Sequence, residues 1–139
     1  MKNKNNLSKE DIFRFYNFVC DYEVNIKTDY GRFHFDDSKF TAFCKKNGIE
    51  PKKKPKNREN VLPNSLWFNS YVKKGVNDRA HHLLRHIRNA FAHGLITKKK
   101  DTFYFKDFSA SEKQTQTMGG QMRGDLLWSF IDELKKTKK

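Results

Sequence analysis

The hydrophobic residues in the first part of the chain recur at helical spacing. Between residues 7 and 23 they are three or four positions apart, as on the buried face of a helix. The repeating positions are Ile12, Phe15, Tyr16, Val19 and Tyr22. Ser8 suits an N-cap, and Glu10 and Asp11 lie in the following turn, where carboxylates are favourable. This pattern predicts a first helix that buries the apolar stripe.

Two more helices are predicted before residue 76. Residues 37–48 would bury Phe40 and Phe43, and Gly48 lies where a helix commonly ends. Residues 64–75 are interpreted as a third helix. Its inward positions would be Leu66, Trp67, Tyr71 and Val72. Between these helices, residues 49–63 hold three prolines and a dense basic run, which predicts an exposed loop. That loop is interpreted as a solvated connector, with a phosphate-contacting arm as the alternative.

The second half of the chain begins with the longest predicted helix, residues 78–93, which Gly94 terminates. Residues 95–108 then alternate apolar and polar side chains around a charged turn, which predicts a β-hairpin. Residues 109–120 are polar and are interpreted as a loop. An amphipathic helix is predicted over residues 121–136. Its apolar positions are Met122, Leu126, Leu127, Phe130, Ile131 and Leu134.

These elements predict the fold class. The 139 residues are expected to form one mainly α domain, residues 1–139, because a chain of this length supports a single modest core. The architecture expected is a helical bundle of about four to five helices, with a small β-hairpin after the helix of residues 78–93.

Composition adds an expectation about partners. The net charge is +13, and a field of this sign attracts polyanions, of which nucleic acid is the commonest in a cytosol. Most of the basic residues are lysines, so a biased genome composition is an alternative cause. Cys20 and Cys44 show no paired spacing, which suggests reduced thiols in a cytoplasmic protein. The sequence shows neither an apolar membrane span nor a secretory signal, so no membrane partner is expected.

The helix of residues 78–93 has two chemically distinct faces. Its apolar positions fall within about 60° of one line on a helical wheel. They are Ala80, Leu83, Leu84, Ile87, Ala90 and Phe91. The opposite face is predicted to carry His81, His82, Arg85, His86, Arg88, Asn89, Ala92 and His93. After Asp78 this face has neither an acid nor a lysine, which is unusual for a solvated helix surface in a lysine-rich chain.

These residue types suit phosphate chemistry. Arginine stays charged and binds phosphate through a planar fork of donors, whereas histidine exchanges protons near neutral pH. RNA carries its own nucleophile, the 2′-hydroxyl, so an arginine and a histidine can promote its cleavage without a metal or cofactor. Arg88 and His93 are about 140° apart on an ideal wheel, so they converge either through a distorted last turn or across a dyad between two chains.

The segment RNAFAH, residues 88–93, resembles the signature of the HEPN superfamily: an arginine, four to six residues and a histidine, commonly with a polar residue after the arginine. The resemblance implies a HEPN-like helical bundle that dimerises through these helices. It also implies a metal-independent endoribonuclease that leaves a 2′,3′-cyclic phosphate and a 5′-hydroxyl. The family's catalytic arginine and histidine correspond to Arg88 and His93, with Asn89 as the polar partner. Many members belong to toxin–antitoxin or antiviral-defence systems, which implies an antitoxin or defence-system partner.

The residues outside the signature are assigned from their charge and position. The predicted RNA contacts are Arg85, His86, His82, Lys98, Lys99 and Lys100. The predicted hairpin is a departure from the simplest four-helix HEPN bundle.

Three alternatives stay open. The i, i+4 spacing of His82 and His86 is compatible with zinc, although no glutamate or cysteine lies at a typical ligand spacing, and no metal site is predicted. Residues 73–89 resemble a helix-turn-helix, which leaves His93 unexplained. A HEPN-like domain that binds RNA or protein without cutting is the third alternative.

Overall fold

The computed structural model describes residues 7–29, 32–49, 64–68, 79–109 and 115–139, and the backbone of residues 51–52. Four α-helices lie in this part of the chain: α1 is Lys9–Asp21, α2 is Ser38–Lys46, α3 is Arg79–Ala92 and α4 is Gly124–Lys135. One π-helical turn, Tyr22–Ile26, continues α1. Five strands accompany them: β1 is Pro51–Lys52, β2 is Ser65–Phe68, β3 is Ile96–Lys99, β4 is Thr102–Phe108 and β5 is Gln116–Arg123.

The strands form one sheet in the order β1-β2-β5-β4-β3. β1 pairs with β2 in parallel, and the other neighbours are antiparallel. The helices α3 and α4 contact the sheet, and α1 packs on α3. The fold is therefore α+β, and the expectation of a mainly α bundle with a small hairpin is wrong.

Two segments account for the difference. Residues 65–68 were predicted to begin a helix, yet they pair along β5 from Ser65 opposite Gln121 to Phe68 opposite Met118. Residues 116–123, predicted as a polar loop and a helix start, form the central strand β5 between β2 and β4. The C-terminal helix accordingly begins at Gly124, and Met122 is buried on β5. The predicted inward positions Tyr71 and Val72 lie outside the described residues, as does most of the predicted loop over residues 49–63.

The local signals for helix ends and for the hairpin are confirmed. Ser8 and Asp11 form a capping box, since each side chain accepts a hydrogen bond at 3.0 Å from the other residue's backbone N–H. Gly94 has φ +67° just past α3, and the Leu95 N–H donates to the Ala90 carbonyl at 2.8 Å. This is a Schellman ending, which places His93 at the C-cap. The β3–β4 hairpin turns at Lys100, whose φ is +54°.

The first helix buries only part of the predicted stripe: Phe15 and Tyr22 are buried as predicted, and Val19 packs against the core. Phe15 stacks on Phe91 of α3 with ring centroids 4.5 Å apart, and Phe18 meets the same ring edge-on at 5.5 Å. Phe18 was not among the predicted positions, whereas Ile12 and Tyr16, which were, are 56% and 60% exposed. One side of α1 therefore packs into the core, and the opposite side carries large apolar side chains that are exposed to solvent. Among the described residues, no helix has the length and apolar character needed to cross a membrane.

We expect Gly120→Ala to destabilise the protein by about 2 kcal/mol, because the added methyl group over-packs the centre of the sheet. A Cβ at this position would lie 2.6 Å from the Phe105 ring and 2.9 Å from the Ser65 carbonyl oxygen. Gly124→Ala is the matched control, since its nearest atom, the Asp101 carbonyl oxygen, is 3.5 Å away. Urea unfolding measures both free energies, and equal stability of the two variants would contradict the close packing at Gly120.

Candidate functional site

The motif helix α3 is more deeply buried than its polar sequence suggests. Arg85, Ala92 and His93 are exposed, whereas His82, Arg88 and Asn89 are half-buried. His81 and His86 were predicted on the polar face, but each is only 3% exposed. Beyond the exposed Arg79 at its start, the accessible surface of α3 and its C-cap is a narrow strip defined by residues 82, 85, 88, 89, 92 and 93. Asp78, where the predicted helix begins, lies outside the described residues.

His81 has a structural role. Its Nε2 lies 3.0 Å from the Ile26 carbonyl oxygen and 3.1 Å from that of Lys27, and both oxygens can accept a hydrogen bond from it. The ring therefore satisfies backbone acceptors at the end of the π-helical turn, and it fastens that turn to α3.

The other buried histidine, His86, is paired with an acid on the sheet. Its Nδ1–H donates to Asp107 Oδ2 at 2.8 Å, and both side chains are 4% exposed. A direct contact with RNA needs an accessible group, so the predicted role of His86 in RNA binding does not fit its burial. The hydrogen bond between His86 and Asp107 instead links α3 to β4.

Asp107 is the centre of a chain of hydrogen bonds that reaches the motif. Asn89 donates through Nδ2 to Asp107 Oδ2 at 3.2 Å, and the Phe108 backbone N–H donates to Oδ1 at 2.9 Å. Burial raises the pKa of Asp107, but the hydrogen bonds from His86 and Asn89 outweigh it, so the pKa lies below its ordinary value of 3.8. Asp107 is therefore a buried carboxylate anion at neutral pH.

The motif arginine is held at both ends of its guanidinium. Arg88 donates from Nη1 to Asn89 Oδ1 at 2.9 Å, and its Nη2 lies 2.8 Å from Glu23 Oε1. Its Nε is buried without a hydrogen-bond partner among the described residues. We call the series Glu23, Arg88, Asn89, Asp107 and His86 the Arg88–Asp107 network. Because Asn89 accepts from one neighbour and donates to the other, the network fixes the orientation of its amide.

Glu23 neutralises part of the charge at this site. A hydrogen bond from Lys27 at 3.3 Å and the nearby charges of Lys27 and Arg88 lower the pKa of Glu23. The Arg88 side chain is still 28% exposed and that of Glu23 35%, so water reaches both groups. An incoming anion can therefore compete with Glu23 for the guanidinium.

His93 is exposed at the C-cap of α3, and its backbone N–H donates to the Asn89 carbonyl at 2.9 Å. It lies five positions after Arg88, which corresponds to about 7.5 Å along a helix axis. The His93 side chain is exposed to solvent at this end of the helix. The catalytic roles of Arg88, Asn89 and His93 stay predictions.

The predicted basic residues differ in their availability. Lys98 is 21% exposed, lies 3.4 Å from Asp11 Oδ2 and sits over the Phe103 ring. Lys99 and Lys100 are exposed at the hairpin turn, and Arg85 is exposed on α3. Arg85, Lys99 and Lys100 are thus free to attract a polyanion, whereas Lys98 already has an anionic partner. The described residues contain no group of three or more His, Cys, Asp or Glu side chains suited to a metal ion.

Sequence reasoning missed Asp107 and Glu23. A signal for Asp107 was present, since β4 alternates and places Asp107 on the same face as Phe103 and Phe105. A carboxylate on an apolar face requires a partner, which would have pointed back to the histidines of α3. No comparable signal marks Glu23, whose contact with Arg88 depends on the packing of the π-helical turn against α3. Comparison of the chain with protein-family models, curated proteins and solved structures finds no significant match.

Proposed function

We propose that this protein is a metal-independent endoribonuclease in which Arg88 and His93 act on an RNA phosphodiester. One observation carries the proposal: the Arg88 guanidinium is oriented by Asn89, which is anchored to the buried Asp107, at the end of the helix that presents the exposed His93. Catalytic groups act best when neighbouring side chains hold them in place, and the contacts of Arg88 with Asn89 and Glu23 support the proposal in this respect.

The proposed reaction needs only groups of the protein and of RNA. The 2′-oxygen attacks the adjacent phosphorus, and the bond from phosphorus to the 5′-oxygen breaks. The products are a 2′,3′-cyclic phosphate and a 5′-hydroxyl. Arg88 exchanges its ion pair with Glu23 for one with the phosphate and stabilises the charge that develops on it. The 2′-hydroxyl loses a proton and the leaving 5′-oxygen gains one; His93 carries out one of these two transfers and water the other.

Substrate attraction is assigned to the exposed basic groups. The net charge of +13 favours encounter with RNA, and Arg85, Lys99 and Lys100 would contact backbone phosphates. The resemblance of residues 88–93 to the HEPN signature supports the same reaction. It also underlies the proposal of a cytoplasmic protein of a toxin–antitoxin or antiviral-defence system, with an antitoxin or defence-system partner. The homodimer that the same resemblance implies through the helix of residues 78–93 stays a prediction and is not part of this proposal.

A second candidate function is RNA binding without cleavage. The observation that favours it is the 2.8 Å ion pair between Arg88 and Glu23, because an arginine already neutralised can serve the fold alone. Both functions predict that the exposed basic groups bind RNA. They differ in whether the chain cuts the RNA that it binds.

The test is incubation of a labelled RNA oligonucleotide with the purified protein in excess EDTA. We expect cleavage to continue, with 2′,3′-cyclic phosphate and 5′-hydroxyl ends on the products. A matched oligonucleotide with one 2′-deoxynucleotide should resist cleavage at that position, because the nucleophile is missing there. Loss of cleavage in EDTA, or cleavage after the deoxynucleotide, contradicts the proposed reaction, whereas binding without cleavage in any buffer favours the second candidate.

A further inference from the structure

The outward side of α1 and its π-helical turn carries large apolar side chains that the core does not cover. Ile12, Phe13, Tyr16 and Val24 are 56%, 65%, 60% and 76% exposed. Among the described residues, four of the five exposed large hydrophobic side chains lie here. Cys20 is exposed on the same helix, one turn beyond Tyr16. We call Ile12, Phe13, Tyr16, Cys20 and Val24 the α1 face.

This face is continuous. On a helical wheel Phe13, Tyr16 and Cys20 stand at i, i+3 and i+7, opposite the core-facing Phe15 and Phe18. Aromatic side chains bury roughly 150–250 Å² each, so the face leaves on the order of 400 Å² of apolar surface in water. A patch of this size is comparable to the largest apolar patch of a typical monomer, and such patches are often functional. The narrow polar strip of α3 offers no comparable surface.

The charges around the α1 face indicate which partner fits. Arg14 pairs with Glu10 at 3.2 Å at one end, and Lys27 pairs with Glu23 at 3.3 Å at the other. Apart from the buried Asp11, residues 9–27 contain three acidic and three basic side chains, in a chain of net charge +13. The face is thus nearly neutral, and its rim has both signs, whereas a surface for a polyanion or an acidic membrane would have a basic rim.

We propose that the α1 face is the contact between two copies of this chain. A two-fold interface presents the same patch from both sides, so it needs a surface that complements itself. An apolar centre with a rim of mixed sign meets that need, and it lets two strongly basic chains approach where their repulsion is smallest. Two such faces together supply about half of the area of a standard interface, and the rim supplies more.

The proposed dimer interface on the α1 face lies next to the Arg88–Asp107 network. The proposed RNA cleavage does not require this interface. Val24 follows Glu23, whose carboxylate holds Arg88, so the second copy would lie beside the Arg88–Asp107 network. The dimer contact is therefore placed on α1 and the π-helical turn instead of on the motif helix. This inference does not depend on whether the protein cuts RNA.

The decisive experiment is sedimentation equilibrium of the wild type and of variants over a range of concentrations. We expect a reversible dimer that Tyr16→Glu and Phe13→Glu each weaken about 100-fold, because each substitution places a charge at the interface twice. Tyr104→Glu is the matched control, since Tyr104 is an exposed aromatic residue on β4 and the chemical change is the same. Circular dichroism checks that the variants are folded, as expected for replacements at exposed positions.

The two cysteines supply an independent measurement. Cys20 is exposed, whereas Cys44 is buried, and burial raises the pKa of its thiol to about 11, so a thiol reagent reports on Cys20. Alkylation of Cys20 should slow as the concentration rises through the dimer dissociation constant, and it should lose this dependence in Phe13→Glu. A monomeric wild type, a dimer unchanged in both face variants, a dimer equally weakened by Tyr104→Glu, or alkylation independent of concentration would overturn the proposal.

Discussion

Replacement of His93 by alanine is expected to slow RNA cleavage by about 10²–10⁴-fold, the usual contribution of one general acid–base group. Arg88→Ala is expected to slow it by about 10²–10³-fold, because the phosphate loses a charged donor where negative charge accumulates. The two variants should differ in binding. His93→Ala should keep nearly the affinity of the wild type for RNA, whereas Arg88→Ala should bind more weakly. Single-turnover rates with saturating protein separate these effects from each other.

Two neighbouring substitutions serve as controls for this prediction. Arg85 is exposed one turn before Arg88, so Arg85→Ala should weaken RNA binding. The number of ions released when RNA binds should fall by about one. The rate at which bound RNA is cleaved should change little. Glu23→Gln removes the anion that holds Arg88 and should strengthen RNA binding. If His93→Ala and Arg88→Ala both cut RNA at the wild-type rate, the assignment of these residues is wrong.

The motif helix and its ending were predictable because the signals for them are local. The apolar stripe of α3 recurs within a few residues, and Gly94 takes the φ of +67° that its position after the helix requires. The β3–β4 hairpin has the same origin, since alternation on both sides of a short turn is enough to specify it. These elements depend little on the rest of the chain.

The other strands were missed because they depend on distant pairing. The segment of β5 is polar with two glycines, and by itself this composition is typical of a loop. It becomes a strand because Gly119 and Gly120 leave room for the side chains of Trp67 and Phe105 on the neighbouring strands. The close contacts of these glycines form only when the neighbouring strands are in place, and of the two neighbours β2 lies far away in the sequence.

The same difference between local and distant signals applies to the residues of the candidate site. Arg88, Asn89 and His93 were found because they form one short motif on one helix. Their supports, Glu23 and Asp107, come from the π-helical turn and from β4, and they meet α3 only through tertiary packing. A helical wheel alone placed His86 in solvent, because it treats a polar side chain as exposed. The buried acid opposite that ring accepts its hydrogen bond, so the ring is buried without leaving this donor unsatisfied.

Asp107 supports the prediction with the largest expected effect on stability. Asp107→Ala should reduce the free energy of unfolding by about 3–5 kcal/mol, because it leaves the buried His86 without its acceptor and Asn89 without an anchor. Asp107→Asn should cost less, since the amide keeps the size and one acceptor oxygen but loses the charge. Urea unfolding at neutral pH gives both values. Asp101→Asn, on the exposed hairpin turn, should change stability by less than about 0.5 kcal/mol.

The pH dependence of the same variants tests the charge of Asp107 directly. Its pKa in the folded protein lies below the ordinary value of 3.8, so its ionisation stabilises the fold fully above that value. The contribution disappears as the pH falls through the lower, folded-state pKa. The stability difference between the wild type and Asp107→Asn should therefore be constant from neutral pH to about pH 5 and shrink in stronger acid. If the difference stays unchanged in acid, Asp107 stabilises the fold through its shape and not through its charge. That outcome would contradict the role of the buried carboxylate, because a stabilising negative charge is lost when the group is protonated.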